Sequence, residues 1–161
     1  MSAAHQGGGT RLRGMTDVTD FAALARRESG LCVVSTLRAA GTIQSSVVNA
    51  GVLDHPVAGG PVVGFTTRGN AAKLVNLRAR PRATIVARAG WEWVAVEGLA
   101  EIEGPDDPLL GFNPAELPEL LREVFRAAGG THDDWPTYDR VMAQERRAAV
   151  LISPDRVYSN A

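Results

Sequence analysis

The chain has one cysteine, Cys32, and one lysine, Lys73, among its 161 residues. A lone thiol excludes an intrachain disulfide and a thiolate-built metal centre. The three histidines, His5, His55 and His132, lack the short spacings of metal ligands, so no metal site is expected. Long hydrophobic runs are missing too, and nothing approaches the ~20 apolar residues that cross a bilayer. Residues 1–15 are polar and glycine-rich without an apolar signal-peptide core, which reads as a flexible tail, with Met15 as an alternative start. The expected location is cytoplasmic. Excess charge of one sign is also absent. With 17 basic and 18 acidic residues, a formal net charge of -1 and a pI near 6.3, the chain has no electrostatic footprint for nucleic acid or an anionic membrane.

Several catalytic signatures are lacking as well. No G-x-G-x-x-G and no P-loop lysine motif occur, Ser45 and Ser46 stand outside any G-x-S-x-G, and no histidine accompanies Cys32. Rossmann-type dinucleotide binding and nucleophilic catalysis are therefore disfavoured. No catalytic side chain is identified by pattern.

What is present is 45% hydrophobic content, enough to build the core of one domain over residues 16–161. Phe21, Leu24 and Ala25 recur at helical spacing between Asp17 and Ser29, with Gly30 as a stop. Leu31–Leu37 is rich in β-branched residues and reads as a strand, turned at Ala39–Gly41 into a partner strand over Thr42–Leu53. His55, Pro56, Gly59 and Gly60 mark a second turn before a strand over Val62–Thr67. The spacing predicts a short helix over Asn70–Arg80, closed by Pro81, then strands over Ala83–Ala89 and Trp91–Glu103 around Gly90.

Pro114–Ala128 carries Leu117, Leu120, Leu121, Val124, Phe125 and Ala128 on one helical face. Another helix is expected from Asp133 or Asp134, with Trp135, Tyr138 and Met142 on one side. A last strand spans Ala148–Tyr158 and is interrupted near Pro154. About six strands joined mostly by hairpins predict a mainly β (α+β) fold, an antiparallel barrel with peripheral helices.

The chemistry concentrates in Thr66-Thr67-Arg68-Gly69-Asn70-Ala71-Ala72-Lys73-Leu74-Val75-Asn76. A strand running into a helix N-terminus presents unpaired N–H groups and a positive dipole end, which together make an anion site. Asn70 is suited to the N-cap. Lys73 falls in the first turn, where its charge opposes the dipole at a cost of ~0.3–1 kcal/mol, and a bound phosphate reverses that sign. The 17 basic residues are otherwise all arginine, so the lone lysine stands out. Lys73 and Asn76 share a face, and Thr66, Thr67 and Arg68 add donors beside them. The competing reading is an ordinary solvated helix end.

Thr42-Ile43-Gln44-Ser45-Ser46-Val47-Val48-Asn49 is too polar for a pure core strand. A heteroaromatic ring with carbonyl and N–H edges would partner Gln44, Ser45 and Ser46 beside Val47; a solvent-exposed face is the other reading. Trp91 and Trp93 are placed on one strand face, to flank a ring, to join a subunit interface or to pack. Glu97 is expected to pair with an arginine. Tyr138, Tyr158 and the hydroxyls near Ser45 are proton-donor candidates by chemical type only.

Taken in order, several segments resemble the pyridoxamine 5'-phosphate oxidase-like superfamily, in its branch using the deazaflavin coenzyme F420, over roughly Phe21–Tyr158. They are Gln44-Ser45-Ser46-Val47-Val48-Asn49, Ala72-Lys73-Leu74-Val75-Asn76-Leu77 with Arg80-Pro81-Arg82-Ala83, Gly90-Trp91-Glu92-Trp93-Val94-Ala95-Val96-Glu97-Gly98, and His132-Asp133-Asp134-Trp135 through Tyr138 to Arg146-Arg147.

The resemblance implies a split β-barrel homodimer with two cofactor sites at the subunit interface. Lys73, Asn76 and Thr66–Arg68 would engage the phosphate or acidic tail of F420, with FMN as the alternative cofactor. Gln44–Val47 would lie along the ring, with Trp91 beside it. Arg78, Arg80 and Arg82 are candidates for a polyglutamate tail. The implied activity is hydride transfer from reduced deazaflavin to a small unsaturated or quinone-like substrate. The alternatives are an FMN-dependent oxidase or reductase and a non-catalytic F420 carrier.

Overall fold

Alternation in the strands and glycine at their turns close six strands into a ring. A computed structural model describes residues 16–160, so the expected tail at 1–15 lies outside the described residues. Asp17 caps α1 (Val18–Arg27) and forms a capping box with Asp20. Gly30, at φ 76°, ends it in the left-handed region. The strands are β1 (Leu31–Leu37), β2 (Ile43–Asp54), β3 (Pro61–Thr67), β4 (Arg82–Ala89), β5 (Glu92–Glu103) and β6 (Ala148–Ser159). They form a closed antiparallel barrel in the order β1-β2-β3-β6-β5-β4, as the sequence predicts. α2 (Ala72–Ala79) joins β3 to β4, and a 3-10 turn at Pro114–Glu116 leads into α3 (Leu117–Ala127) and α4 (Trp135–Gln144) between β5 and β6.

Period-2 alternation sorts the faces of β1 and β2. Cys32, Val34 and Thr36 are buried, while Leu31, Val33 and Leu37 point outward. The register pairs Val33 with Val47 and Leu37 with Ile43 on the outer face, with the bonded Ser35–Ser45 pair between them. Inside the ring, Phe65, Ile85 and Val96 pack with Phe21 and Leu24 of α1 and with Leu74 and Leu77 of α2. A second cluster joins Leu120, Leu121 and Val124 of α3 to Tyr138 and Ala149. α3 packs over Ala149, and Leu109 and Phe112 over Leu151, so Ala148–Ile152 is buried on both faces and reads as a continuous apolar run.

Three expectations are revised. The interruption near Pro154 is a β-bulge rather than a break: Gly98 pairs with Pro154 and Glu97 with Arg156, leaving Asp155 as the extra residue. A Cβ at Gly98 would stand 1.7 Å from the Ser153 carbonyl oxygen, so only glycine fits opposite the bulge. Trp91 lies in the β4–β5 turn, outside the strand that carries Trp93. Glu97 accepts a hydrogen bond from the Tyr158 hydroxyl at 2.6 Å and forms no ion pair with an arginine among the described residues.

Candidate functional site

The N-cap of α2 falls one residue later than Asn70. Ala71 occupies it with extended backbone and offers no side-chain acceptor to the first-turn N–H groups. An alanine leaves those donors to whatever anion approaches. Lys73 stands in that first turn, half-buried. Its Nζ lies 3.5 Å from Thr67 Oγ1, and it forms no ion pair with any described carboxylate. Burial, and then the charge of Arg147, lower its pKa below the ordinary lysine value.

These groups open on a cavity of about 530 Å³, within the ordinary range for small-molecule sites. β2 contributes Val47, Val48 and Asn49, and the end of β3 contributes Thr66, Thr67 and Arg68. Asn70, Ala71 and Lys73 form the α2 side, Val124 and Phe125 of α3 and its C-cap Ala128 face them with Tyr138 and Met142 of α4, and Arg147 closes the rim. One pole is cationic and the opposite wall is aromatic, aliphatic and thioether. No carboxylate or imidazole lines the cavity among the described residues.

Of the residues singled out by sequence, the fold brings Val47, Thr66, Thr67, Arg68 and Lys73 together. Gln44, Ser45 and Ser46 share their strand but do not line this cavity. Gln44 Oε1 accepts from Thr36 Oγ1 at 3.2 Å, and Ser45 bonds Ser35 at 2.8 Å. Ser46 Oγ is buried without a partner. Asn76 is turned into the barrel, where its Nδ2 donates to Thr36 Oγ1 at 3.0 Å, so it does not share the cavity face with Lys73. Trp91 is 94% exposed and lies outside the cavity.

The arginines considered for an acidic tail are otherwise engaged. Arg78 holds Asp107 through two bonds, Arg80 donates to the Leu37 carbonyl, and Arg82 pairs with Asp155. Both phenols are committed as well. Tyr138 donates to the Leu121 carbonyl oxygen at 3.2 Å and Tyr158 to Glu97. Burial pushes the Cys32 thiol up to about 12, far from a nucleophile.

Sequence reasoning missed Arg147 and the wall from Val124, Phe125 and Met142. The amphipathic face of α3 was legible, but its target was not. No helix among the described residues is long and apolar enough to cross a membrane, and no cluster of potential metal ligands occurs among them.

No protein-family model and no curated protein match the chain. Among solved structures, it is similar to a hypothetical protein of Mycobacterium tuberculosis, with 22% identity, 90% of this chain and 84% of that chain covered, and a TM-score of 0.63. A pyridoxamine 5'-phosphate oxidase-related, FMN-binding protein of Nostoc punctiforme shows 14% identity over 86% and 80% of the two chains, with a TM-score of 0.60. A protein described as an F420 reductase shows 17% identity over 80% and 88%, with a TM-score of 0.54. At these identities the likeness extends to architecture alone. In fold, the chain is a six-stranded antiparallel barrel of the pyridoxamine 5'-phosphate oxidase-like split-barrel type.

Proposed function

We propose that this protein is an oxidoreductase that binds coenzyme F420 and reduces a small unsaturated or quinone-like organic substrate. The observation that carries the reading is a half-buried ammonium, Lys73, without an acidic partner, at an uncapped helix start that faces a cavity with an apolar far wall. Such a donor set fits a phosphate-bearing arm joined to a flat ring. Reduced deazaflavin, when bound, supplies a hydride.

The chain's own residues bind and orient. Lys73, Arg68 and the hydroxyls of Thr66 and Thr67 hold the anionic arm through charge-assisted bonds. Val47, Val48, Phe125 and Met142 exclude water from the ring side. No acid or imidazole stands on the walls among the described residues, and the Tyr138 hydroxyl is tied to the Leu121 carbonyl.

Mixing the purified protein with F420 and with FMN separately, and following fluorescence and co-elution, tests the cofactor. Binding of F420 supports the reading. Binding of FMN alone would move the protein to an FMN-dependent oxidase or reductase of the same fold. A loaded, reduced protein that reoxidises no faster than free coenzyme across a panel of enones and quinones would make it a carrier.

A second copy of the chain covers the outer face of β1 and β2 in this reading. Ile43 is 67% and Val47 64% exposed there, beside Leu31, Val33 and Leu37 and on either side of the Ser35–Ser45 pair, and exposed apolar residues gathered on one face favour association. Val47 belongs both to that face and to the cavity wall, so covering the face narrows the cavity. Sedimentation equilibrium is expected to give a dimer at micromolar concentration. A monomer that binds cofactor with full affinity would remove the second copy from the site.

A further inference from the structure

We infer that Arg147 is a second cation gripping the anionic arm of the cofactor, and that Glu145 is a positioning residue which holds Arg147 and Arg68 for that task. The inference rests on the cofactor reading above and deepens it.

Glu145, half-buried, divides its carboxylate between two guanidinium groups. Oε2 accepts from Arg147 Nε at 2.6 Å and Oε1 from Arg68 Nη2 at 3.2 Å. Lys73 stands near enough for the charge of Arg147 to lower its pKa. Two guanidinium groups thus share one carboxylate with the Lys73 ammonium close by and without an acid of its own, which leaves two positive charges unbalanced on a partly desolvated rim. Like charges gathered this way repel, and the arrangement becomes favourable when a doubly charged anion enters. Nε is the only side-chain donor of Arg147 held by a protein acceptor among the described residues, so both terminal amino groups remain free for the ligand. Two chemistries carry such charge: a terminal phosphate monoester, as in FMN, and a phosphodiester followed by carboxylates, as in F420.

The backbone supports the same assignment. Arg146, between the two residues, sits at φ 49°, a left-handed conformation that costs a non-glycine residue energy. Glu145 and Arg147 thus flank the tight turn that ends α4. Gly69 packs directly on this turn, where a Cβ would meet the Arg146 carbonyl oxygen at 2.7 Å, and its N–H bonds the Glu145 carbonyl at 3.3 Å. The β3–α2 loop and the α4–β6 turn are locked together at the site. A strained residue held this firmly between two charged ones fits a positioned site better than an ordinary surface ion pair.

The test titrates F420 and FMN, in separate arms, into the unaltered protein and into Arg147→Gln, Arg147→Lys, Glu145→Gln and Lys73→Ala at low and high salt. Thermal melting without cofactor runs alongside. Arg147→Gln is expected to weaken whichever cofactor binds by about 10- to 100-fold and to flatten the salt dependence, with little change in melting. Arg147→Lys is expected to keep the salt dependence and regain part of the affinity.

Glu145→Gln separates positioning from charge balance. It removes a negative charge and so raises the net charge of the site by one, so an acid that merely neutralises would yield tighter binding on removal, and that result overturns its assigned role. Weaker binding despite the added charge supports positioning. Full affinity in both Arg147 variants with a large loss in Lys73→Ala overturns the inference and leaves the cofactor reading standing. An unaltered protein that binds neither cofactor overturns both.

Discussion

Gly51→Ala is expected to unseat α3 from the barrel and to lower stability by about 3 kcal/mol, a fall in Tm of roughly 6–12 °C at 2–4 °C per kcal/mol. α3 crosses β2 so closely that a Cβ on Gly51 would lie 2.1 Å from both the carbonyl carbon and oxygen of Ala127. Those are backbone atoms and cannot rotate aside, so the helix must lift or the strand must bend. Lifting loosens Leu120, Leu121 and Val124, which anchor the second core cluster, and moves Val124, Phe125 and Ala128, which wall the cavity. Thermal melting and cofactor affinity should therefore fall together. Gly41→Ala serves as the control. Gly41 sits at φ 83° in a hairpin turn with nothing within 4 Å of the added carbon, so its cost is limited to backbone strain of about 1–2 kcal/mol. A Gly51→Ala protein that melts like the parent would refute the close seating of α3.

Lys73→Ala is expected to weaken cofactor binding by ~1.5–3 kcal/mol, the scale of charge-assisted hydrogen bonds, while leaving the cofactor-free protein no less stable. The second half follows from the sign of the pKa shift. Burial first, and Arg147 second, depress the Lys73 pKa in the folded state. The unfolded chain therefore holds that proton more tightly, and the charged lysine opposes folding at neutral pH. The opposition is fully present below the depressed value. It fades as pH rises from there to the ordinary lysine value of 10.5.

Removing the side chain removes that cost, so melting of the free protein should hold steady or rise. Affinity should run the other way with pH. It should decline as Lys73 loses its proton, beginning below the range of an ordinary lysine. Titration of the affinity between pH 7 and 11, paired with melting of the free variant, checks both halves. A strongly destabilised free variant would mark Lys73 as structural.

Much of the fold was readable one element at a time. β1 occupies the predicted Leu31–Leu37, because alternation and β-branching are local and a glycine stands at its start. The helix expected over Pro114–Ala128 forms as a 3-10 turn running into α3, and the next helix is capped by Asp134, one of the two acids expected there. Asn70 failed as a cap because the chain keeps extended backbone through Ala71, where the β3–α2 loop packs on the α4–β6 turn through Gly69. Trp91 and Glu97 were misjudged for related reasons. A tight turn at Gly90 takes Trp91 out of the strand, and Glu97, although set opposite Arg156 across the strands, accepts its hydrogen bond from Tyr158.

The candidate site divides along the same line. Thr66, Thr67, Arg68 and Lys73 lie within eight residues, so the strand-to-helix geometry that gathers them is written locally, and their chemistry could be read in advance. Arg147 lies 74 positions from Lys73, and Phe125 more than 50. Nothing in their own neighbourhoods signals the cavity.

By itself, the sequence determined the alternating strands, the amphipathic helices and one cationic helix start, because each depends on interactions between near neighbours. Only the tertiary structure decided what faces that helix start, because β3–β6 pairing and the seating of α3 on Gly51 join distant segments. Which cations gather and which acid separates them is set by those long-range contacts.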